Sequence, residues 1–220
     1  MPRRNVPREK QVAVALAGTA GFLDVVGYLT LAHLFTAHMT GNTSKLGAAL
    51  GHGDLGKAVP LALALPLFAA GVAAGTLLVD ARRARTPLYV EAALVAAFMA
   101  VGVAAGRHGE TVSSPYPYYV LETLATLALG LQTAALTDVE GATIRTSYVS
   151  GVLTNLTQGF VRRVRGARER KPLALLATIL AAYLVGALGG ALTLRAVSFW
   201  CLVAPLAVLL AAAAGRQGRE

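Results

Sequence analysis

From residue 12 to residue 34 the chain reads VAVALAGTAGFLDVVGYLTLAHL, an apolar run that contains one charged side chain, Asp24. A helix needs about 20 apolar residues to cross the hydrocarbon core of a bilayer, which is about 30 Å thick. This run is long enough, and it exceeds the apolar core of a cleaved signal peptide, which has about 7–15 residues. It therefore predicts a membrane span that stays attached to the protein.

The rest of the chain repeats this pattern. Of its 220 residues, 55% are hydrophobic and only 14% are charged, whereas a soluble domain carries about 25% charge. These values exclude an ordinary soluble protein and predict an all-α integral membrane protein that forms one transmembrane domain over residues 1–220. The six predicted spans lie near residues 12–34, 58–80, 87–106, 118–137, 173–194 and 197–214.

The net charge of +9 comes from Lys and Arg residues that lie between the apolar runs. This spacing indicates orientation in a bilayer, so no nucleic acid partner is expected. With six spans and a cytoplasmic N-terminus, 16 of the 20 cationic residues are inside, which predicts that both termini are cytoplasmic. The single cysteine, Cys201, lies in an apolar run, so neither a disulfide framework nor a cysteine zinc cluster is expected.

Two segments, residues 36–50 and 146–160, are too rich in Thr, Ser, Asn and Gly to span comfortably and too apolar to be simple loops. We interpret them as two short re-entrant half-helices. A helix over Thr40–Leu50 would be about 16 Å long, half a bilayer, and Asp54 would cap the span that follows. The alternative of eight crossings would crowd Arg82–Arg85 into a short outer loop.

The halves of the chain resemble each other in order. GFLD at 21–24 matches GLQT at 130–133, the Thr and Gly positions of 36–41 match the Thr, Ser and Gly of 146–151, and FAAGVAAG at 68–75 matches YLVGALGG at 183–190. Three crossings in each half would turn the second copy upside down, which is typical of secondary transporters. The predicted repeats cover about residues 12–106 and 118–214.

Asp24 lies near the middle of the first span, where a charge costs about 2.5–3.5 kcal/mol. In one interpretation it is a proton or cation site that couples transport. In the other it is a protonated or hydrogen-bonded residue that caps the broken backbone of a neighbouring half-helix. Gln132 and Thr133 occupy its place in the second half, and we consider them as partners for it.

The half-helices supply the other candidate site residues. Gly41 and Gly151 allow the backbone to bend or unwind near the membrane midplane, and polar neighbours could bind a ligand or close a tight turn. Two converging helix N-termini would suit an anion or a carboxylate. The predicted substrate- or ion-binding set is Asp24, Thr40, Gly41, Asn42, Thr43, Gln132, Thr133, Ser150, Gly151 and Asn155.

Other polar residues receive simpler interpretations. His33 and His38 are five residues apart, which places them on different helix faces and favours interfacial or pore-facing positions over a metal site. Glu91 and Glu122 lie near span ends, where we expect them to reach the headgroups. Glycines four residues apart favour close helix packing within the chain, with homo-oligomer contacts as the alternative; they are 71 and 75, 102 and 106, and 186 and 190.

Three stretches carry a resemblance to a known family: GFLDVVGY at 21–28, HMTGNT at 38–43 and GLQ at 130–132. On these motifs the chain resembles the YoaK family of bacterial inner-membrane proteins over almost its whole length. The resemblance implies a multi-pass protein of the bacterial cytoplasmic membrane, and it implies no substrate.

Two functional hypotheses follow. The first is a small secondary transporter or channel-like permease for a small solute, with an anion as one candidate and Asp24 as a proton-coupling group. The second is a non-transporting membrane scaffold that packs against a partner. The sequence has no serine-protease motif, aspartate pair or zinc motif, so we expect neither an enzyme nor a bound cofactor. The two hypotheses differ in whether a polar cavity reaches Asp24 and Asn42.

Overall fold

The computed structural model describes residues 6–81, 86–105, 115–135, 149–166 and 173–215, and in these parts every regular element is a helix. A 3₁₀ turn, Ser198–Leu202, separates the last two α-helices. The α-helices are α1 Val6–Thr30, α2 Met39–Gly51, α3 Leu55–Asp80, α4 Thr86–Ala104, α5 Pro115–Ala135, α6 Val149–Val164, α7 Leu173–Val197 and α8 Val203–Gly215.

Helices occupy all six runs that the sequence predicts as spans. In the described parts of the chain, four helical stretches are both long enough and apolar enough to cross a membrane: Glu9–Thr30, Leu55–Asp80, Thr86–Ala104 and Leu173–Gly215. The last stretch has 43 residues and combines the fifth and sixth predicted spans, because α7 runs on to the 3₁₀ turn without an intervening loop. At 13 residues, α8 alone is about 20 Å long.

The first helix ends at Thr30, four residues before the predicted end of the span. We call residues 31–38, which follow α1, the connecting segment. In it Ala32 and His33 adopt left-handed backbone conformations, with φ values of 50° and 64°. This conformation is uncommon for residues other than glycine and ends the α-helical hydrogen bonding. The segment leads directly into α2.

The two short polar segments form short helices, as predicted. Helix α2 has 13 residues and α6 has 16, and Gly41 and Gly151 are the third residue of their respective helices. Helix α2 packs on α3 and α6 packs on α7. Thr146, one of the matched positions, lies outside the described residues.

A tight turn joins α2 to α3. Gly53 adopts φ +69°, and the Asp54 side chain accepts a hydrogen bond from the Lys57 amide at 3.1 Å, which confirms the predicted helix cap. The Lys57 ammonium lies 2.7 Å from the same carboxylate. These hydrogen bonds from Lys57 hold the pKa of the Asp54 carboxyl below its usual value.

Helices α1 and α7 pack backbone against backbone. A Cβ atom at Gly190 would lie 2.8 Å from the Phe22 carbonyl oxygen, and one at Gly186 would overlap the Gly18 carbonyl. A Cβ atom at Gly21 would likewise overlap a carbonyl of α7. The helices approach this closely because these three positions have no side chain.

Helices α3 and α5 pack in the same way. A Cβ atom at Gly75 would lie 2.8 Å from the Leu131 carbonyl oxygen, and one at Gly71 would lie 2.5 Å from the Leu127 carbonyl oxygen. A Cβ atom at Gly130 would overlap a carbonyl of α3. The glycine faces at 71, 75, 186 and 190 therefore serve packing within the chain, which was the favoured interpretation.

Candidate functional site

Asp24 is almost completely buried, with 3% of its surface exposed, and it fastens the connecting segment to α1. Its Oδ1 atom accepts hydrogen bonds from the backbone amides of Thr36 and Ala37, both at 2.8 Å, and from the Thr36 hydroxyl at 3.0 Å. This is the backbone capping that the structural interpretation of Asp24 predicts. An acceptor with this many donors suits an ionised carboxylate.

The second carboxylate oxygen of Asp24 joins two further elements. Tyr183 of α7 donates its hydroxyl hydrogen to Oδ2 at 2.9 Å, and His38 Nδ1 lies 2.7 Å from the same atom. The His38 side chain is 33% exposed, so it connects the buried carboxylate with the surroundings of the bundle. We call Asp24, Thr36, Ala37, His38 and Tyr183 the Asp24 cluster.

Asn42 makes a second attachment between α2 and the connecting segment. Its amide nitrogen donates to the Phe35 carbonyl at 2.6 Å, and its carbonyl oxygen accepts from the Phe35 amide at 3.0 Å. Asn42 is fully buried. Its side chain therefore satisfies both backbone groups of Phe35 in place of another backbone segment. The sequence had suggested that Asn42 forms hydrogen bonds to a ligand.

A pocket of about 850 Å³ opens where α1 and α2 end and where α3 and α5 begin. Apolar side chains, among them Leu34, Pro60 and Tyr118, form part of its wall. Four side chains of the lining are cationic or can become so, against one carboxylate, Asp54, which is paired with Lys57. We call it the basic pocket, and these four are His33, Lys45, His52 and Lys57.

Neither Asp24 nor Asn42 lines the basic pocket. The pocket therefore does not reach the two residues whose contact with a polar cavity would favour the transporter hypothesis over the scaffold hypothesis. Lys45 and Phe35 lie in between. The Lys45 ammonium lies 4.4 Å from the centre of the Phe35 ring and donates to the His33 carbonyl. The Phe35 ring is in turn 5.5 Å from the His38 ring.

The structure brings together only part of the predicted site. The five hydrogen bonds of Asp24 come from the connecting segment and α7, so the expectation that Gln132 and Thr133 are its partners is wrong. Gln132 donates instead to the Leu16 carbonyl of α1 at 2.6 Å, and Thr133 donates to the Leu129 carbonyl of its own helix at 2.8 Å.

The remaining predicted residues lie on the two short helices. Thr40 and Thr43 are exposed, and Thr43 donates to the Met39 carbonyl of its own helix. A Cβ atom added at Gly41 would lie 3.2 Å from the Phe35 ring. Ser150, Gly151 and Asn155 lie on α6, away from the hydrogen bonds of Asp24 and Asn42.

His38, Tyr183 and Lys45 belong to the site although they were not among the residues predicted for it. His38 was considered only as half of a histidine pair, although it directly precedes α2. Tyr183 could have been identified from the sequence, because the matched position in the first half of the chain is Phe68. A hydroxyl that replaces a hydrogen in an apolar helix needs a buried partner.

Two glutamates were misassigned. Glu91 and Glu122 are fully buried, and within the described residues no carboxylate oxygen of either has a hydrogen-bond partner. The prediction that they reach the headgroups is wrong. Apolar sequence around a glutamate near a span end does not show whether a neighbouring helix covers it.

Comparisons with known proteins agree with the resemblance noted above. Residues 12–215 match a family described as protein of unknown function DUF1275. The UPF0700 transmembrane protein YoaK of Bacillus subtilis (strain 168) is 33% identical over 181 residues, which cover 77% of each chain. The UPF0700 transmembrane protein RA0705 of Rhizobium meliloti (strain 1021) is 27% identical over 98% of this chain and 92% of the relative. No solved structure matches. A match over nearly the whole chain, together with membrane-length helices, means that this protein belongs to the DUF1275 family of membrane proteins, to which YoaK is related.

Proposed function

We propose that this protein is a small secondary transporter or channel-like permease for a small anion, with Asp24 as its proton-coupling group. The observation that carries the proposal is the Asp24 cluster: a buried carboxylate in a membrane helix paired with a partly exposed histidine. An ionisable group at such a position is costly, and in membrane proteins it commonly marks an ion or proton pathway.

The connecting segment gives this group a physical link to a solute. Asp24 holds Thr36, Ala37 and His38 at one end of the segment, and His33 and Leu34 line the basic pocket at the other. A proton on Asp24 would turn one acceptor site into a donor and weaken its hold on the segment. An anion in the pocket would act on the same segment, so the two binding events would be coupled reciprocally.

The charges of the basic pocket support an anionic solute. Lys45 has no carboxylate partner within the described part of the chain and lies over the rings of Phe35 and Tyr28, at 4.4 and 4.8 Å from their centres. The Lys57 ammonium, in contrast, forms a salt bridge with the Asp54 carboxylate. By the charge count of the sequence, these two lysines belong to the few cations on the outer side, where positive residues are otherwise scarce.

The proposed architecture is six spans in two inverted halves, in the bacterial cytoplasmic membrane with both termini cytoplasmic. The glycine contacts support it. Phe22 and Leu131 are 109 residues apart and Gly75 and Gly190 are 115 apart, and a Cβ atom added to either glycine would lie 2.8 Å from its partner's carbonyl oxygen. The same offsets relate the Gly186–Gly18 contact to the one between Gly71 and residue 127. Equivalent contacts at the offsets of the sequence match are what a duplicated unit produces.

The test is proton movement in proteoliposomes that contain a pH-sensitive dye. Outward gradients of acetate, phosphate and chloride are imposed one at a time, and internal pH is followed. We expect one of these anions to drive proton movement with the wild type and Lys45→Gln to reduce it. Arg195→Gln, which removes an exposed cation outside the pocket, should leave it unchanged. Equal pH traces with and without protein for all three anions would contradict the proposal.

A further inference from the structure

Three polar side chains follow one face of α5 inward from the basic pocket. Tyr118, Glu122 and Thr126 are four residues apart, so they lie one above the other at intervals of about 6 Å. Tyr118 lines the pocket, and Glu122 and Thr126 are fully buried beneath it. We call these three residues the α5 line.

The buried part of the α5 line has no hydrogen-bond partners in the portions of the chain that the structure describes. Both carboxylate oxygens of Glu122 and the hydroxyl of Thr126 are unpaired, whereas Tyr118 donates to the Leu31 carbonyl at 3.2 Å. The Thr126 hydroxyl differs from those of nine other helical threonines, which donate to the backbone carbonyl four residues earlier. Its hydroxyl is therefore left available to another group.

The neighbouring helix contributes a second acid of the same kind. Glu91 of α4, which packs on α5, is fully buried, and neither of its carboxylate oxygens has a partner among the described residues. Asp24, by contrast, is buried with five hydrogen bonds and a histidine. Of the buried carboxyl groups in the described residues, Asp24 thus has hydrogen-bond donors that stabilise a negative charge, whereas Glu91 and Glu122 have none.

An ionised carboxylate without a partner is among the most costly groups to bury in a membrane protein. A metal cation could neutralise it, but hard cations such as Ca²⁺ take 6–8 oxygen ligands, and the buried α5 line offers three. A proton needs no such shell. It turns the carboxylate into a neutral acid whose O–H can be donated to a hydroxyl or a water.

We propose that Glu122 and Glu91 are proton-binding sites inside the membrane, held as neutral carboxylic acids, and that the α5 line connects Glu122 with the basic pocket. The ligand is a proton. The inference does not depend on the proposed transport through Asp24, since it rests on α4, α5 and the pocket wall.

Infrared spectroscopy of the purified protein tests the acid state. A neutral acid gives a carbonyl stretching band that is distinct from the two carboxylate bands. We expect Glu122→Gln and Glu91→Gln each to remove one acid band at neutral pH. Glu9→Gln, a glutamate in the first turn of α1, should remove none. Loss of carboxylate bands only in the two test variants would overturn the proposal.

The connection with the pocket has its own readout. On transfer to deuterium oxide the Glu122 acid band should shift as its proton exchanges, and Tyr118→Phe should slow this shift relative to the wild type. Thr123→Val is the matched control, because its hydroxyl is bonded within the helix on another face of α5. An acid band that does not shift, or that shifts equally in Tyr118→Phe, would overturn the connection.

Labelling of the wild type covers the case in which a glutamine variant fails to fold. Dicyclohexylcarbodiimide is an apolar reagent that couples to protonated carboxyl groups in apolar surroundings. We expect adducts on peptides that contain Glu122 or Glu91, at equal yield with and without sodium chloride. Adducts at neither residue would overturn the proposal, and so would protection by sodium, since a metal cation would then be the ligand.

Discussion

The α1–α7 and α3–α5 helix pairs have the same packing and different chemistry. Both pairs meet through glycines that lie against backbone carbonyls: a Cβ atom added at Gly190 or at Gly75 would lie 2.8 Å from a carbonyl oxygen of the facing helix. Among the described residues, a hydrogen bond between a carboxylate and a hydroxyl links the helices of the α1–α7 pair, from Asp24 and Tyr183. At the matched places of the other pair stand Thr133 and Phe68, and the Thr133 hydroxyl is bonded within its own helix.

This difference separates the scaffold from the site. Close glycine packing serves both pairs, so it accounts for the association of the helices and not for function. The hydrogen bond between Asp24 and Tyr183 belongs to the α1–α7 pair, and Asp24 also fixes the connecting segment through Thr36 and Ala37. Equivalent substitutions in the two pairs should therefore agree for packing and disagree for polar groups.

The largest effect is expected from Gly186→Leu and from its counterpart Gly71→Leu. A side chain at either position must push the facing helix away, because even a Cβ atom is too close to a backbone carbonyl. Overpacking of this kind typically costs about 1–3 kcal/mol, and backbone contacts place these sites at or above that range. Detergent-solubilised protein should show a large fall in Tm for both, and little change for Gly47→Leu, whose site is open.

The next effect distinguishes the pairs. Asp24→Leu leaves two backbone amides, the Thr36 and Tyr183 hydroxyls and His38 without their acceptor, and we expect this to cost about 1–3 kcal/mol in total. Thr133→Val, at the matched place of α5, removes the hydrogen bond to the Leu129 carbonyl of the same helix and should cost less than Asp24→Leu. Thermal unfolding of both variants decides the matter. Equal losses would mean that the Asp24 cluster adds nothing to stability.

A smaller effect is expected from Tyr183→Phe. The change removes one of five hydrogen bonds to Asp24 and leaves no donor stranded, so the cost should be about 1.5 kcal/mol, at the low end for a hydrogen bond to a charged group. The same stability measurement applies. A loss as large as that of Asp24→Leu would show that Tyr183, and not the backbone amides, dominates the cluster.

The smallest effect concerns the start of α3 and depends on pH. The pKa of Asp54 is lowered in the folded protein by Lys57, so its contribution is present above the unfolded-state value of 3.8 and is lost as the pH falls through the folded-state pKa. Asp54→Asn retains a helix cap but cannot titrate. Its Tm should fall less than that of the wild type between pH 5 and about pH 3. Identical pH profiles would contradict the assigned cause.

Much of this fold follows from local features of the sequence. The apolar runs predict the helices, Asp54 predicts the start of α3, and the Thr, Gly and Asn content of residues 36–50 predicts a short helix. The end of α1 at Thr30 could not be predicted from the local sequence. The backbone amides of Thr36 and Ala37, which follow the helix, donate to Asp24, and Asp24 lies 12 and 13 residues earlier in the chain. That contact depends on tertiary structure.

The candidate site was harder to predict for the same reason. Asp24 and Asn42 stand out as polar residues in apolar surroundings, but their partners lie on other elements or are backbone groups. Glu91 and Glu122 illustrate the converse. Their sequence surroundings suit a residue at the membrane surface, and only the packing of α4 on α5 reveals that they are buried.

Anion-driven proton movement by Asp24→Asn, measured in proteoliposomes beside Thr133→Val, tests the central claim most directly. Asparagine retains the shape and an acceptor oxygen for the Thr36 and Ala37 amides but cannot carry a proton. We predict that the Asp24→Asn protein stays folded and that its proton movement falls to the level of vesicles without protein, while Thr133→Val retains the wild-type rate. A folded Asp24→Asn protein that moves protons at the wild-type rate would contradict the account.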